Sequence, residues 1–161
     1  MIKLVIVDDR LLHGRIAFYW SEYLKLDRIV VLNNEASEDE FTKMILGLAK
    51  PRDVLLEIED IESGKESAKN HITSEENVLL IVGNLFDAKK IMDEHKSLNK
   101  INIGGLRPRP NCKELNEKAS FTVEDITIIK KLLERKITVS VRTLPQDKAI
   151  ILTEEIVQSL T

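Results

Sequence analysis

Short runs rich in Val, Ile and Leu alternate with helical stretches along most of the chain, and this alternation constrains the fold more than any other feature. Continuous apolar runs of about four to eight residues indicate buried strands, whereas apolar residues three and four positions apart indicate amphipathic helices. The predicted strands span residues 2–7, 28–32, 53–58, 78–82, 100–103, 119–121 and 137–142. The predicted helices span 16–26, 61–72, 85–96 and 153–160, and two more begin at the capping signals 37–40 and 122–125. This pattern predicts an α/β fold: an open, mainly parallel, doubly wound sheet with helices on both faces.

Two further predictions concern the surface of this fold. Ser37 and Glu40 form a capping box, so a helix is expected to begin there and to end near Pro51. Its expected buried stripe recurs at helical spacing and contains Phe41, Met44, Ile45 and Leu48. Residues 104–117 carry two glycines, two prolines and several charges, which predicts a long surface loop.

Length and composition limit the class of protein. The 161 residues fit a single domain over 1–161. The single cysteine, Cys112, excludes an internal disulfide and favours a reducing, cytoplasmic setting. The longest apolar run, Val78–Val82, is far shorter than the roughly 20 residues of a membrane-spanning helix. The formal net charge is −3 with acids and bases interspersed, which argues against a nucleic-acid-binding protein.

The loop that carries the most chemistry follows the first predicted strand, at the edge where ligands bind in doubly wound sheets. It reads DDRLLHGR. The neutral imidazole of His13 is a nucleophile near neutral pH, and the guanidinium groups of Arg10 and Arg15 match phosphate oxygens. Gly14 permits close approach of the backbone, and the next helix presents free N–H groups at its positive end. These features predict a cradle for a phosphoryl group on His13, with Asp9 holding Arg10 or orienting the imidazole.

Other candidate sites have weaker support. His71 and His95 lie near predicted helix C-termini and are interpreted as structural, and Cys112 is interpreted as a passive thiol. The chain lacks both GxGxxG and GxxxxGK[ST] motifs and has no histidine–cysteine cluster with metal spacing. Paired aspartates after the first strand also occur in Mg²⁺-binding receiver domains. Here the lysine that a receiver needs after its fifth strand is missing.

The loop resembles the active-site segment of the mannose/fructose/sorbose-family IIB subunits of the bacterial phosphotransferase system. That family's pattern reads DDRLIHGQV with a tryptophan a few residues later, which Trp20 matches. Weaker resemblances follow in the family's order, at VLNNEA (31–36), NIGGL (102–106), VED (123–125) and LPQD (144–147). The resemblance therefore extends through nearly the whole chain.

This resemblance implies a doubly wound sheet and a transiently phosphorylated histidine, which is His13, modified on Nδ1. The phosphoryl donor is a phosphohistidine, so the reaction needs neither a metal nor a nucleotide cofactor. The residues expected at the site are the catalytic His13, Arg10 and Asp9 and the phosphate-binding or rim residues Gly14, Arg15, Asn33, Gly83 and Gly104.

The resemblance also implies partners. A IIA protein or domain donates the phosphoryl group, and a sugar held by the membrane subunits IIC and IID accepts it. The chain would then lie in the cytoplasm, peripherally associated with the permease. The expected docking rim consists of Leu11, Leu12, Arg15, Arg107 and Arg109, although one of the two leucines is expected to pack beneath the loop.

Two departures from the family pattern leave alternatives open. Arg15 and Arg142 stand where the family usually has glutamine, and the added positive charge either strengthens phosphate attraction or alters docking. A regulatory phosphate-binding module with the same fold is the alternative function, and a flavodoxin-like nucleotide binder is a third. A homodimer is possible, although no heptad repeat indicates one.

Overall fold

The computed structural model describes residues 1–161 and confirms the α/β prediction. The strands are β1 Ile2–Asp8, β2 Arg28–Leu32, β3 Leu55–Glu59, β4 Val78–Val82, β5 Lys100–Gly105, β6 Lys113–Asn116, β7 Ala119–Phe121, β8 Thr138–Val141 and β9 Ile150–Ile151. Seven of them form one sheet in the order β3-β2-β4-β1-β5-β8-β9. All its pairs are parallel except β8 with β9, while β6 and β7 form a separate antiparallel hairpin.

Seven helices cover the sheet. They are α1 Gly14–Leu24, α2 Asn34–Glu38, α3 Glu40–Ala49, α4 Ile61–Thr73, α5 Leu85–Glu94, α6 Val123–Glu134 and α7 Glu154–Ser159. Polar side chains begin many of them: Asp60, Asn84 and Thr122 each accept a hydrogen bond from a backbone N–H in the first turn. The predicted capping signal of Thr122 with Asp125 is confirmed as a reciprocal capping box. None of the helices combines the length and the apolar character needed to cross a bilayer.

Two apolar cores lie on opposite faces of the sheet, because neighbouring strand side chains point to opposite sides. Val5 and Val7 of β1 belong to a cluster of 27 buried residues beneath α4–α7. Ile6 between them belongs to a cluster of 12 buried residues beneath α1–α3. We call these the dense face and the open face.

The prediction of a helix that begins at Ser37 and ends near Pro51 was wrong in two respects. Its N-cap is Asp39, whose carboxylate accepts from the Phe41 N–H, and residues 34–38 form the separate helix α2 rather than a capping box at Ser37. The expected buried stripe is exposed: Phe41, Met44, Ile45 and Leu48. The helix packs through Leu46 instead. Helical spacing identifies an apolar stripe but does not state whether the stripe faces the core.

The predicted long loop over 104–117 was also wrong in part. Gly104 and Gly105 belong to β5, and residues 113–116 form β6. The Asn116 side chain accepts hydrogen bonds from the N–H groups of Lys118 and Ala119, which closes a hairpin turn between β6 and β7. The charged residues and prolines of this segment therefore led to the prediction of a loop where a short paired strand is present.

The direction of winding changes beside β1. After β1 the chain passes through α1 to β2 on one side, whereas after β4 it passes through α5 to β5 on the other. The loops that follow β1 and β4 therefore meet at the carboxyl edge, where a doubly wound sheet opens a crevice.

Candidate functional site

Asp8 ends β1 and lies at the centre of this crevice, with only 2% of its surface exposed. Its main-chain carbonyl accepts a hydrogen bond from the Leu11 N–H at 2.9 Å, which closes a tight turn. Leu11 adopts the left-handed conformation with φ of 61°, which is unfavourable for a residue with a Cβ atom. This turn carries Arg10 and His13 back over the end of the strand.

The Asp8 carboxylate binds both of these side chains. Its Oδ1 accepts from the Arg10 backbone N–H at 2.9 Å and from Arg10 Nε at 3.3 Å, and its Oδ2 lies 3.3 Å from His13 Nε2. Two glycines of β5 leave room for this arrangement. A Cβ at Gly105 would lie 3.0 Å from Arg10 Nη2, and one at Gly104 would lie 3.3 Å from Asp8 Oδ2. Gly104 is therefore brought to the site, where it borders the carboxylate.

His13 is the N-cap residue of α1, yet its side chain makes no capping hydrogen bond. The side chain is 31% exposed, and its only hydrogen-bond partner is Asp8, through Nε2. The other ring nitrogen, Nδ1, is left without a partner. Gly14 begins α1, and the first turn of that helix contains no acidic residue. Its free N–H groups and positive end therefore lie beside the imidazole, an arrangement suited to an anion.

Asp9 does not occupy the predicted position. Its carboxylate accepts from the Arg107 backbone N–H at 2.9 Å and from Arg107 Nε at 3.1 Å. The expectation that Asp9 holds Arg10 or orients the imidazole was therefore wrong, and Asp8 makes both contacts. The signal in the sequence is the alternation of β1, because Asp8 lies on the same side of the strand as Ile6, which packs beneath α1.

Asn33 and Gly83 lie together at the rim of the turn. The Asn33 Oδ1 accepts from the Ala36 N–H at 2.9 Å, so this side chain caps α2. A Cβ at Gly83 would lie 3.2 Å from Asn33 Nδ2 and 3.4 Å from the Leu11 side chain. Gly83 thus lets the loop after β4 approach the turn, and neither residue makes a hydrogen bond with His13.

The expected docking rim is only partly at the surface. Leu12 is 5% exposed and packs in the open-face core, which confirms that one of the two leucines packs beneath the loop, whereas Leu11 is only half-buried. Arg15 is exposed, and its guanidinium lies 5.8 Å from the centre of the Tyr19 ring. Arg109 donates to Asp125 at 2.6 Å. Burial opposes the charged form, but this ion pair prevails and raises the pKa of Arg109.

Further contacts join α1 and β5 to the segment that follows β8. Trp20 of α1 is buried, and its Nε1–H donates to the Thr143 carbonyl at 3.0 Å. The Thr143 hydroxyl donates to the Gly104 carbonyl at 3.1 Å. Arg142 lies over the Trp20 ring, 5.1 Å from its centre, rather than beside His13.

The other histidines have partners away from this edge. His71 Nε2 lies 3.3 Å from the Glu57 carboxylate, and His95 Nε2 lies 2.7 Å from the Lys65 carbonyl. Both contacts fit the structural interpretation made from the sequence. No group of three or more His, Cys, Asp or Glu side chains is arranged to hold a metal ion.

Comparison with known proteins points to one family. The family model described as the PTS system sorbose subfamily IIB component matches residues 2–159. The mannose-specific EIIAB component of Escherichia coli (strain K12) is 29% identical over 147 residues, covering 91% of this chain and 46% of that protein. The chain thus spans about half the length of the EIIAB relatives that it matches. The sorbose-specific EIIB component of Klebsiella pneumoniae is 25% identical over 155 residues, covering 96% of this chain and 94% of that relative.

The fold is shared with a solved relative. The crystal structure of the IIBSor domain of the sorbose permease from Klebsiella pneumoniae matches with a TM-score of 0.90 at 24% identity, covering 100% of this chain and 98% of that one. The family-model match over residues 2–159 confirms the resemblance noted in the DDRLLHGR loop. The chain belongs to the sorbose subfamily of phosphotransferase-system IIB components.

Proposed function

We propose that this chain is a phosphotransferase that receives a phosphoryl group on His13 from a phosphorylated IIA protein or domain. It then transfers the group to a sugar held by the membrane subunits IIC and IID. The observation that carries this proposal is the contact of His13 Nε2 with Asp8, at 3.3 Å, which leaves Nδ1 unpartnered beside the start of α1. A ring held in this way has one nitrogen for its proton and the other for phosphorus.

In the first step, the Nδ1 lone pair of His13 attacks phosphorus in line with the P–N bond of the donor phosphohistidine. That bond breaks, and the donor imidazole leaves as a neutral ring. His13 keeps its proton on Nε2 and becomes positively charged when the new P–N bond forms. Asp8 stabilises this cation through the Nε2–H contact. Asp8 is therefore a positioning residue whose charge also matters.

In the second step, a sugar hydroxyl oxygen attacks phosphorus, the P–N bond to His13 breaks, and the hydroxyl proton is released to water. Arg10 is held at the turn by Asp8 and retains N–H donors for the equatorial phosphoryl oxygens. The N–H groups at the start of α1, including that of Gly14, supply further donors. Most of the catalysis then comes from positioning and charge, as is general for phosphoryl transfer.

Labelling with phosphoenolpyruvate tests this assignment. The chain is incubated with the general phosphotransferase proteins, an authentic IIA partner and labelled phosphoenolpyruvate. We expect an acid-labile, base-stable label on the wild-type chain and no label on His13→Ala. His71→Ala and His95→Ala are matched controls and should be labelled normally. An unlabelled wild-type chain, or a labelled His13→Ala variant, contradicts the proposal.

Variants of the two supporting side chains test their separate roles. Arg10→Ala should lose about 2–4 kcal/mol of transition-state stabilisation, as for the deletion of one preorganised donor. Asp8→Asn should slow transfer and change its pH profile, because the amide cannot stabilise the cationic ring. A merely structural role for Asp8 would lower the unfolding midpoint and leave the pH profile unchanged.

The regulatory alternative predicts a different result. Arg15 is an exposed cation without a carboxylate partner, which suits binding of a phosphorylated protein without transfer. In that case the chain would bind phospho-IIA but acquire no label. The labelling experiment therefore separates the two functions.

A further inference from the structure

Thr143 lies far from the DDRLLHGR loop in sequence, yet it contacts both halves of the candidate site. It follows β8, and its hydroxyl donates to the Gly104 carbonyl at 3.1 Å. Its own carbonyl accepts from the Nε1–H of Trp20, on α1, at 3.0 Å. Gly104 borders Asp8, and α1 begins directly after His13. Thr143 therefore joins the strand beside the carboxylate to the helix that carries the imidazole.

Gly104 lies at an irregularity of the sheet. The register of β1 with β5 pairs Val7 with Ile103 and then Asp8 with Gly105, so Gly104 is passed over. The pairing of β5 with β8 ends at Ile103. Gly104 therefore has no paired residue in either neighbouring strand. Irregularities of this kind change the direction of the backbone and often lie next to active sites, so a hydrogen bond that fixes one also fixes its neighbours.

The position of Gly104 matters because it lies against the oxygen that contacts the imidazole. A Cβ on Gly104 would lie 3.3 Å from Asp8 Oδ2, and the same Oδ2 lies 3.3 Å from His13 Nε2. Trp20 and Thr143 line the same small cavity as these side chains. Asp8 is only 2% exposed, and close-packed surroundings transmit a shift of one group to the next. A displacement of Gly104 would therefore change the contact between Asp8 and His13.

The segment that contains Thr143 is held on both sides. The Arg142 carbonyl accepts from Nδ2–H of the fully buried Asn102 at 2.9 Å. The Leu144 N–H donates to the Asp147 carboxylate at 3.0 Å. Thr143 is therefore a fixed point against which both β5 and α1 are placed, because the residues before and after it are bound to other parts of the fold.

We propose that Thr143 is a positioning residue that sets the contact between Asp8 and His13. Its hydroxyl holds Gly104 against Asp8, and its carbonyl holds α1 through Trp20. The contact with Asp8 determines which nitrogen of the His13 ring keeps the proton and which is free. The consequence for phosphoryl transfer rests on the proposed function, whereas the effect on the ring does not.

Nitrogen-15 NMR of the His13 ring tests the proposal on the unphosphorylated chain, at a pH where the imidazole is neutral. We expect the wild-type ring to hold its proton on Nε2. Thr143→Val removes the hydroxyl donor while keeping a branched side chain of similar shape, and it should give a mixture of the two neutral tautomers. Thr143→Ser restores a hydroxyl and should restore the single tautomer.

The rate of labelling by phospho-IIA gives a second measurement. Thr143→Val should lower the maximal rate by about tenfold or more, because a small misplacement of reacting groups is costly. The concentration of phospho-IIA that gives half of this rate should stay the same, since the Thr143 hydroxyl is turned to Gly104. Thr143→Ser should recover most of the rate.

Ser140 provides a matched control on the same pair of strands. Its hydroxyl donates to Asn102 Oδ1 at 2.9 Å, so it also joins β8 to β5, but it does not contact Gly104. Ser140→Ala should lower the urea midpoint, because it leaves a buried amide oxygen without this partner. It should change neither the His13 tautomer nor the labelling rate of the folded protein. Circular dichroism checks that each variant is folded.

Two outcomes overturn the proposal. One is the same tautomer population in the wild type and in Thr143→Val, and the other is equal labelling rates for these two proteins. A wild-type chain that takes no label has a different meaning. If Thr143→Val still changes the tautomer in that case, the proposed function fails while the positioning of the ring by Thr143 holds.

Discussion

The dense and open faces of the sheet differ in how closely their helices pack. The dense face contains 27 buried residues in its apolar cluster, whereas the open face contains 12. Gly64 of α4 approaches β2 so closely that a Cβ would lie 2.4 Å from the Leu32 side chain, whereas Gly47 of α3 has no neighbouring atom within 4 Å. More apolar residues are therefore buried on the dense face, and its helix α4 packs more closely than α3 does on the open face.

This difference in packing separates the face that contributes most to stability from the face that carries the candidate site. The Asp8–His13 turn and the exposed apolar stripe of α3 both lie on the open face or at its edge, where side chains make fewer packing contacts. A densely packed layer is destabilised by a change of even one methylene group, so it tolerates fewer substitutions than a loosely packed layer. Four predictions test this difference between the faces.

The largest expected effect comes from emptying part of either core. Ile91→Ala on the dense face should cost about 2–5 kcal/mol of unfolding free energy without slowing phosphoryl transfer by the folded protein. Leu12→Ala on the open face should also destabilise the protein, and it should slow transfer, because Leu12 anchors the turn before His13. Urea unfolding and the labelling assay measure the two effects. Slower transfer by folded Ile91→Ala than by folded Leu12→Ala would contradict this separation of the two faces.

The next effect concerns close packing at α4. Gly64→Ala should destabilise the protein by about 1–3 kcal/mol, because the new methyl group overlaps the buried Leu32 side chain. This outweighs the helix propensity that alanine adds. The urea midpoint reports the change, and the double variant with Leu32→Val should recover part of the loss. A stabilised Gly64→Ala protein would show that the dense face adapts easily.

The same substitution at α3 should act in the opposite direction. Gly47→Ala places a methyl group in open space within a helix, so it should stabilise the protein by about 0.5–1 kcal/mol. Thermal unfolding beside Gly64→Ala provides the comparison. A loss of stability at Gly47 would mean that α3 is constrained by contacts that its exposure does not suggest.

The smallest effect is electrostatic. Burial raises the pKa of Glu59 above its ordinary value, and the neighbouring Glu57 charge adds to this. The Glu59 carboxyl is a weaker acid in the folded than in the unfolded chain. Its contribution to stability is therefore lost as the pH rises from the pKa of the unfolded chain to the raised pKa of the folded protein. Glu59→Gln should therefore be more stable than the wild type at neutral pH, by less than about 0.5 kcal/mol. The difference should vanish below about pH 4, and an advantage that persists there contradicts the explanation.

Much of the architecture was predictable because the central strands β2 and β4 are continuous aliphatic runs that are buried on both faces. The run at 78–82 becomes the central strand β4, all of whose residues are buried. The hairpin of β6 with β7 was missed because it depends on one Asn116 side chain that binds the turn, and such a contact has no periodicity. The candidate-site loop was singled out by its residue types and by its place after β1.

The roles within that loop could not be read in full. Adjacent aspartates have the same chemistry. Strand alternation places Asp8 on the side of Ile6, and the turn that returns His13 and Arg10 to the strand end brings both side chains to Asp8 rather than to Asp9. The orientation of α3 was misjudged for a related reason. Burial of an apolar stripe lowers the free energy whether the stripe packs against the core or against an external partner. Local spacing does not distinguish these two cases.

The amino-acid order by itself determined the alternation of strands and helices, the place of the candidate-site loop and the likeness to the IIB family, because these depend on local periodicity and short motifs. The tertiary structure alone decided which carboxylate binds the imidazole, which ring nitrogen remains unpartnered and which apolar residues face outward. Those outcomes depend on how the turn after β1 folds and on which side of each helix meets the sheet, and neither apolar spacing nor a short motif specifies them.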